Sequence, residues 1–511
     1  MTTRPSRTPL AELAPELTRI LAAAGFTADG IAAHLGPTYT EALHRGEPAA
    51  VRYAADGRSR LSRLIRLFIL RDPAPATEVA ALLGAPLVSR LLDAGLFRAD
   101  ANGALTVTLD VRPHVIVGEN RWVFSDADAS MTEHIPGRDH VLGVGAASLS
   151  LLQSTPVSPV ESVLDLGTGS GVQALGQLGC AQTVTATDVH PGALDLAEAT
   201  FAGAGADVEL LEGPWFEPVA GRRFDRIVAN PPFVVGPPEV GHVYRDSGLD
   251  LDGASRLVVS QAAEHLTEGG TAHLLAAWVH TADQSWQSRV ASWLPDRGVA
   301  AWITERDVAD PALYVGTWLR DESLDPRSRE SAERTRAWLE HFTRAGVTGV
   351  GFGFVAIQEI GDQPSDVLAE ELTQPFTDPL GAEVEEYFAR VSWLRQRTKD
   401  EVADAAYLAR PGLAREEVSL ADTDAGVGFA PAALRLTRTE GPRWSHDVDG
   451  HLAAIVAGLH PQGLSLRETV ELYALAQGLD AQELVDTAVP AVIDLIRHGL
   501  VLPADLVEVT G

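Results

Sequence analysis

Four short stretches hold the residue types and turns able to do chemistry together: VLDLGTGSG (163–171), TVTATDVHPGAL (183–194), LLEGPWFEP (210–218) and FDRIVANPPF (224–233). Each is a strand-like run closed by a turn rich in Gly, Pro or acids. In the first, Gly167, Gly169 and Gly171 let the backbone approach a ligand that side chains would block. A dinucleotide turn of the pattern G-x-G-x-x-G needs glycine three places after Gly169, where this chain has Val172. Asp165, just ahead of the glycines, suits a ligand carrying an ammonium group rather than a pyrophosphate. A methyl donor of the S-adenosylmethionine type has a free amino-acid end and no phosphate, and is favoured on both counts. Asp188 closes the second run, where an acid accepts hydrogen bonds from ribose hydroxyls. A helix N-terminal acid facing the dipole of the following helix fits the same position.

The fourth stretch discriminates further. Asn230 offers a side-chain carbonyl, and Pro231 a backbone carbonyl without a competing N–H. Two acceptors converging on one planar NH₂ group hold it and draw its nitrogen lone pair out of conjugation, ready to attack a sulfonium methyl in line. Phe233 supplies a face for a flat base or amide. No strong general base is needed, because the nitrogen becomes acidic as the new bond forms. A plain turn after a strand would also satisfy Asn-Pro-Pro; its place fourth in the set argues against coincidence. Elsewhere the signals are weaker. The 15 histidines show no H-E-x-x-H spacing, and GTGSG has Gly where a nucleophile elbow has Ser. His190 reads as a loop residue near the cofactor, and SLADTDAGVG (419–428) as a plain loop without EF-hand spacing.

The elements that must position these residues alternate: strand 162–166, helix 171–179, strand 183–187, helix 191–204, strands 207–211 and 224–229, helix 262–270, strand 271–279, and last strands at 299–307 and 350–360. Such alternation predicts a doubly wound α/β sheet, ligands binding at the carboxyl ends of its strands. Residues 308–349 form a helical insertion over one sheet edge, and 135–156 a glycine-hinged loop with a short helix. Before the sheet, helical periodicity covers 8–35 and 60–71, with short helices at 77–84 and 87–97 and an alternating run at 105–111. That order is winged-helix-like. PLVSRLLDAGLFRAD (86–100) lines up with PAVIDLIRHGLVLPAD (490–505), which suggests a second winged-helix-like unit at 449–505. The expected domains are therefore 1–112, helical and winged-helix-like; 113–360, the sheet; and 361–511, acidic and mainly helical.

Charge and composition narrow the partners. The net charge is −30, yet residues 1–100 carry 12 arginines against 10 carboxylates. A polyanion is disfavoured by the bulk and tolerated only locally. Arg52, Arg58, Arg60, Arg63, Arg66 and Arg71 are the candidate local surface, with a solvated helix face paired to Asp56 or Asp72 as the plainer reading. One cysteine, Cys180, excludes an intramolecular disulfide and a multi-cysteine metal site. There is no secretory leader pattern and no long apolar run, so a soluble cytoplasmic protein without a membrane partner is expected.

Over about 120–360 these motifs resemble the class I S-adenosylmethionine-dependent methyltransferases, in the Asn-Pro-Pro-aromatic branch that methylates amino groups. The chain is similar to the small-domain group that includes ribosomal RNA guanine-N2 and release-factor glutamine methyltransferases. The resemblance implies S-adenosylmethionine as cofactor, with Asp165, Gly167 and Gly169 at its methionine end, Asp188 at the ribose, and Asn230, Pro231 and Phe233 at the acceptor; Gly171 belongs to the same cofactor-binding turn. VYRDSGLDLDG (243–253) is similar to the segment after the motif in the glutamine enzymes, and Arg245 and Asp246 are within candidate reach of the acceptor. The chain departs at Pro214, where those enzymes place an adenine-contacting Asp; Glu212 or a backbone carbonyl, beside Trp215, is expected to substitute. An exocyclic amine of RNA or DNA is the leading acceptor. A protein glutamine, as in a release factor, is the alternative with the same chemistry, and an inactive cofactor-binding adaptor one of another class.

Overall fold

The computed structural model describes residues 7–128, 130–132, 137, 139–238, 247–321 and 324–507. It falls into two compact units, one of residues up to Leu152 with Val157–Glu371, the other of Gln153–Pro156 with the chain from Leu372.

In the first unit α1 (Pro9–Ala23) starts where Thr8 accepts from the Ala11 amide and Pro9 fits the first turn. Gly25 in the left-handed region stops it, and Thr27 caps α2 (Ala28–Leu35) by accepting from the Gly30 amide. α3 (Pro37–His44) and α4 (Pro48–Ala54) follow. The helix expected over 60–71 is α5 (Arg60–Leu64) continued as a π turn over Ile65–Ile69. Then come β1 (Ala74–Pro75), α6 (Ala76–Leu83), α7 (Ala85–Asp93), β2 (Phe97–Ala99) and β3 (Ala104–Val107). Their sheet order, β1-β3-β2, is the winged-helix arrangement the sequence suggested. The hairpin of β4 (Leu109–Ile116) and β5 (Glu119–Asp126) comes next and was not anticipated beyond its first residues.

The sheet proper begins after α8 (Ala146–Ser154). β6 (Val160–Leu166), α9 (Val172–Gln177), β7 (Ala181–Asp188), α10 (Pro191–Gly203), β8 (Glu209–Glu212) and β9 (Phe224–Ala229) alternate as expected. α11 (Gly253–Ala262) leads to β10 (Leu266–Thr281), α12 (Trp286–Ala291) and β11 (Arg297–Ala309). The insertion holds α13 (Pro311–Asp321) and α14 (Arg329–Arg344), before β12 (Val347–Pro364) and β13 (Asp366–Glu371). The eight strands lie in the order β13-β11-β12-β10-β9-β6-β7-β8. β6 pairs in parallel with both β7 and β9, so the chain reverses direction across the sheet between them. That switch point is where an open α/β sheet leaves a crevice. β12 runs antiparallel to β10 and β11.

Two sequence expectations fail here for stated reasons. The helix placed at 262–270 ends at Ala262, and the chain is extended from Leu266. Gly269 and Gly270, read as a helix stop, instead mark a register shift against β9, where Gly270 lies too near the Phe224 carbonyl for a larger residue to fit easily. The sheet also runs past 360, because β12 continues to Pro364 and β13 adds an edge strand beside β11.

Residues 1–112 do not form a separate body. α1 and α10 share one core, in which Leu17 and Leu21 meet the Ala193–Ala202 face of α10. Burying a leucine this way contributes roughly 1.5–3 kcal/mol. Polar contacts fix the orientation: the Thr8 amide donates to Glu198 at 2.9 Å, Thr18 Oγ1 to the Gly203 carbonyl at 3.1 Å, and Trp122 Nε1 of β5 to the Phe26 carbonyl at 3.1 Å.

The second unit contains α15 (Gly381–Arg395), α16 (Lys399–Ala403), β14 (Tyr407–Ala409), β15 (Leu413–Ala421), β16 (Phe429–Arg438), β17 (Ser445–Asp447), α17 (Gly450–Gly458), α18 (Leu466–Gln477), α19 (Ala481–Arg497) and β18 (Val501–Pro503). Helices make up most of its regular structure, and beside them stands the β15-β16-β17 sheet, whose first hairpin takes in both ends of the 419–428 stretch. The aligned segments do share a corner. α7 and α19 each end at a left-handed glycine, Gly95 and Gly499, followed by an amide-to-carbonyl bond, Leu96 to Leu91 and Leu500 to Leu495. After it β2 turns into a wing with β3, whereas β18 pairs with β14, so no second wing forms among the described residues. Arg390, Arg438 and Arg410 donate to the carbonyls of Arg497, His498 and Gly499, fixing the end of α19 with the cations its dipole favours.

Candidate functional site

β6, β7, β8 and β9 end around a cavity of about 380 Å³, within the range of small-molecule sites. Gly167 and Gly169 line it at φ +72° and +55°, and a Cβ at either would meet nothing within 4 Å, so the open space belongs to a ligand. Gly171 has a different role from the one the sequence suggested. It is outside the lining, and a Cβ there would sit 2.7 Å from Cε1 of Phe201. It allows α9 to pack on α10. Gly171→Ala, strained at φ +90° as well as crowded, is expected to cost about 1–3 kcal/mol of stability, read from denaturant unfolding.

Asp165 also lies outside the lining, 1% exposed behind the turn. Its Oδ2 accepts from Thr168 Oγ1 at 2.7 Å and from the Ala174 amide at 2.9 Å, bracing the glycine turn, while Oδ1 has no hydrogen-bond partner among the described residues. Burial pushes its carboxyl up to about 6, against the pull of those two donors. A folded value above the unfolded one means that the stability it contributes is present at acid pH and is lost as pH rises through about 6. Asp165→Asn should flatten that loss by on the order of 1 kcal/mol between pH 5 and pH 8, measured by unfolding at both.

Asp188, at the end of β7, lines the cavity. Its Oδ2 accepts from the Gly169 amide at 2.9 Å and its Oδ1 from the His190 amide at 2.9 Å, so it ties the first turn to the second. Burial raises its carboxyl despite these bonds. His190 Nδ1 accepts from the Ala193 amide at 3.2 Å and caps α10. At β8, Glu212 is exposed and outside the lining, contrary to its suggested adenine role; Pro214 and Trp215 form that wall, Trp215 at φ +50°.

Asn230 and Pro231, directly after β9, line this cavity and a second one of about 340 Å³. The two cavities meet at this motif. Asn230 Nδ2 donates to Ser148 Oγ at 3.5 Å, a long contact, and Oδ1 has no partner among the described residues. Phe233 lines only the second cavity, its ring 5.3 Å from that of Phe352. The far wall of the second cavity comes from elements the sequence did not connect with the site: Asp110, Arg112 and His114 of β4, and Trp318 and Asp321 of α13. Arg112 and His114 share a strand face by alternation, a signal that points to a site only once the hairpin's position is known. Arg245 and Asp246 lie outside the described residues.

The basic set of the first hundred residues is largely engaged within the fold. Arg52 and Arg66 both pair with Asp72, at 2.7 and 3.0 Å, as the plainer reading held. Arg60 Nη2 donates to the Leu82 carbonyl and Arg71 Nη2 to that of Asp128.

Comparison with known proteins agrees with this geometry. The family described as "Methyltransferase small domain" matches residues 142–285, which span the glycine turn, Asp188 and Asn230–Phe233. The match is narrower than the 120–360 expected from the motifs. Flanking it, residues 23–108 and 385–503 each match a family described as a domain of unknown function, DUF7059 and DUF7782. A release factor glutamine methyltransferase of Geobacter sulfurreducens is 41% identical over 122 residues, covering 21% of this chain and 43% of that protein. A ribosomal RNA small subunit methyltransferase C of Salmonella choleraesuis is 30% identical over 160 residues, covering 31% and 43%. The chain thus spans about half the length, or less, of these curated relatives. Among solved structures, a 16S rRNA N2 G1207 methyltransferase of T. thermophilus with AdoMet and guanosine shares 18% identity, over 41% of this chain and 57% of that one, at a TM-score of 0.26. No helix among the described residues is long and apolar enough to cross a membrane.

Proposed function

We propose that the chain is an S-adenosylmethionine-dependent N-methyltransferase acting on a planar NH₂ group. The observation that carries the proposal is the meeting of the two cavities at Asn230 and Pro231. The first fits the methyl donor: open space over Gly167 and Gly169, Asp188 placed to face the ribose, and no Arg or Lys among the described lining residues to balance a pyrophosphate. Bound there, S-adenosylmethionine supplies an electrophilic methyl on a sulfonium. Asn230 Oδ1 and the Pro231 carbonyl accept the two N–H bonds of the acceptor and turn its lone pair toward the first cavity. As the N–CH₃ bond formed and the S–CH₃ bond broke to leave a thioether, these same oxygens would hold the N–H bonds of the cationic nitrogen, and its proton would then pass to water.

Two acceptors carry such a group. The amine of an RNA base is supported by the aromatic faces of Phe233 and Trp318 in the second cavity. A protein glutamine amide is supported by the pairing of Arg52, Arg60, Arg66 and Arg71 within the fold, which leaves little basic surface for a phosphate chain. Labelled methyl transfer into cell extract, followed by nuclease or protease digestion, separates them. Nuclease-sensitive label identifies RNA or DNA, and protease-sensitive label a protein. Label in neither, with cofactor bound, would make the chain an adaptor and overturn the proposal.

A further inference from the structure

We infer that Arg112 is the specificity-determining residue of the second cavity, its Nη1 edge donating to the oxygen or ring nitrogen adjacent to the NH₂ group held by Asn230 and Pro231. The inference rests on the N-methyltransferase reading above and names what that site selects: a neutral, planar amide or base edge, with any phosphate left outside.

Arg112 stands on β4 with its side chain 21% exposed, in the wall of the cavity that ends at Asn230. Its guanidinium is held on two sides. Nε donates to Asp110 Oδ1 at 3.0 Å, and Nη2 to Asp128 Oδ1 at 3.2 Å and to Ser130 Oγ at 3.1 Å. Those acceptors are themselves fixed. Asp110 is 5% exposed, Ser130 Oγ donates to Asp128 Oδ1 at 2.6 Å, and Arg71 Nη2 binds the Asp128 carbonyl at 2.7 Å. The guanidinium therefore loses its rotamer freedom before a ligand arrives, while the two N–H bonds of Nη1 have no protein partner among the described residues.

An NH₂ group that Asn230 and Pro231 can hold is conjugated to a carbonyl or a ring nitrogen, and that second atom needs a donor. Among the described residues, Arg112 is the one arginine or lysine in the cavity wall. His114, beside it, is kept neutral because burial and Arg112 lower its basicity to about 4. Asp110, Asp128 and Asp321 also line the cavity, so its carboxylates outnumber its cation and repel an anionic acceptor. A donor on the acceptor's oxygen draws charge away from the attacking nitrogen, so it positions the acceptor without speeding attack. Its loss should appear in acceptor KM more than in kcat.

The test uses full-length protein loaded with S-adenosylmethionine and titrated with N-acetylglutamine methylamide or with guanosine, by calorimetry, with methyl transfer measured in the same samples. Wild type is expected to bind at least one probe. Arg112→Gln, and Arg112→Lys, which keeps a cation on Asp110, should bind it about tenfold more weakly with cofactor affinity unchanged. Where transfer occurs, KM should rise with kcat within about threefold. Unchanged probe binding in the variants, no binding by wild type, or parallel loss of cofactor affinity would each overturn the inference. Arg112-dependent binding with no methyl transfer would support the cavity assignment and sink the N-methyltransferase reading instead.

Discussion

Asn230→Ala is expected to lower kcat for methyl transfer by about 1,000-fold and leave S-adenosylmethionine affinity within about threefold of wild type. The asymmetry follows from where Asn230 stands. It borders both cavities, and its Oδ1, without a partner among the described residues, is in the proposed mechanism one of the two acceptors that hold the incoming NH₂ group, the other being the Pro231 carbonyl. With one acceptor removed, the amine rotates about the remaining hydrogen bond and its lone pair stays conjugated, so the methyl has no aligned nucleophile. The long contact to Ser148 means that truncation removes little structure. Asn230→Asp, which keeps an acceptor oxygen at the same place, should lose less activity than Asn230→Ala. Initial rates with labelled methyl donor, set beside cofactor titration, decide the matter. Transfer by Asn230→Ala at the wild-type rate would rule out the two-acceptor mechanism.

What the sequence revealed and what it hid divide along local and non-local physics. The glycine turn, Asp188 and Asn230–Phe233 were legible because each is a strand-end turn whose backbone needs are written within a few residues. Asp165, Gly171 and Glu212 sit in the same turns, yet their roles depend on which way a side chain leaves and what packs behind it. Asp165 points into the protein toward Thr168 and Ala174, Gly171 faces Phe201, and Glu212 faces solvent. The flanking helices show the same limit. Their amphipathic faces were readable, but not that α1 would cover α10. One signal was present: PGALDLAEATFAG is apolar nearly all round, as a helix covered on two sides must be. Its Ala193, Leu196, Ala199 and Ala202 meet the N-terminal core, and Ala197 and Phe201 meet the sheet. The acceptor wall was least legible of all, because β4 and α13 are far apart in sequence and converge only in the fold.

Asp188→Ala should weaken S-adenosylmethionine binding by at least about 100-fold. Two effects combine. The ribose loses its acceptor, and the Gly169 and His190 amides lose theirs, at 2.9 Å each. A buried N–H left without a partner costs about 1–3 kcal/mol, so the turn that places Gly169 relaxes even before ligand is added. Asp188→Asn isolates these effects, since its amide oxygen can satisfy one N–H while its NH₂ opposes the other. Its cofactor affinity should fall between wild type and Asp188→Ala. The pH dependence has a definite sign. Burial raises the Asp188 carboxyl, so it takes up a proton at a higher pH than a free aspartate and loses acceptor strength toward the ribose. Cofactor affinity should therefore fall on acidification from pH 8 to pH 5 in wild type, and less so in Asp188→Asn. Equal pH dependence in the two would place the titrating group elsewhere, with Asp165 behind the same turn as the next to examine.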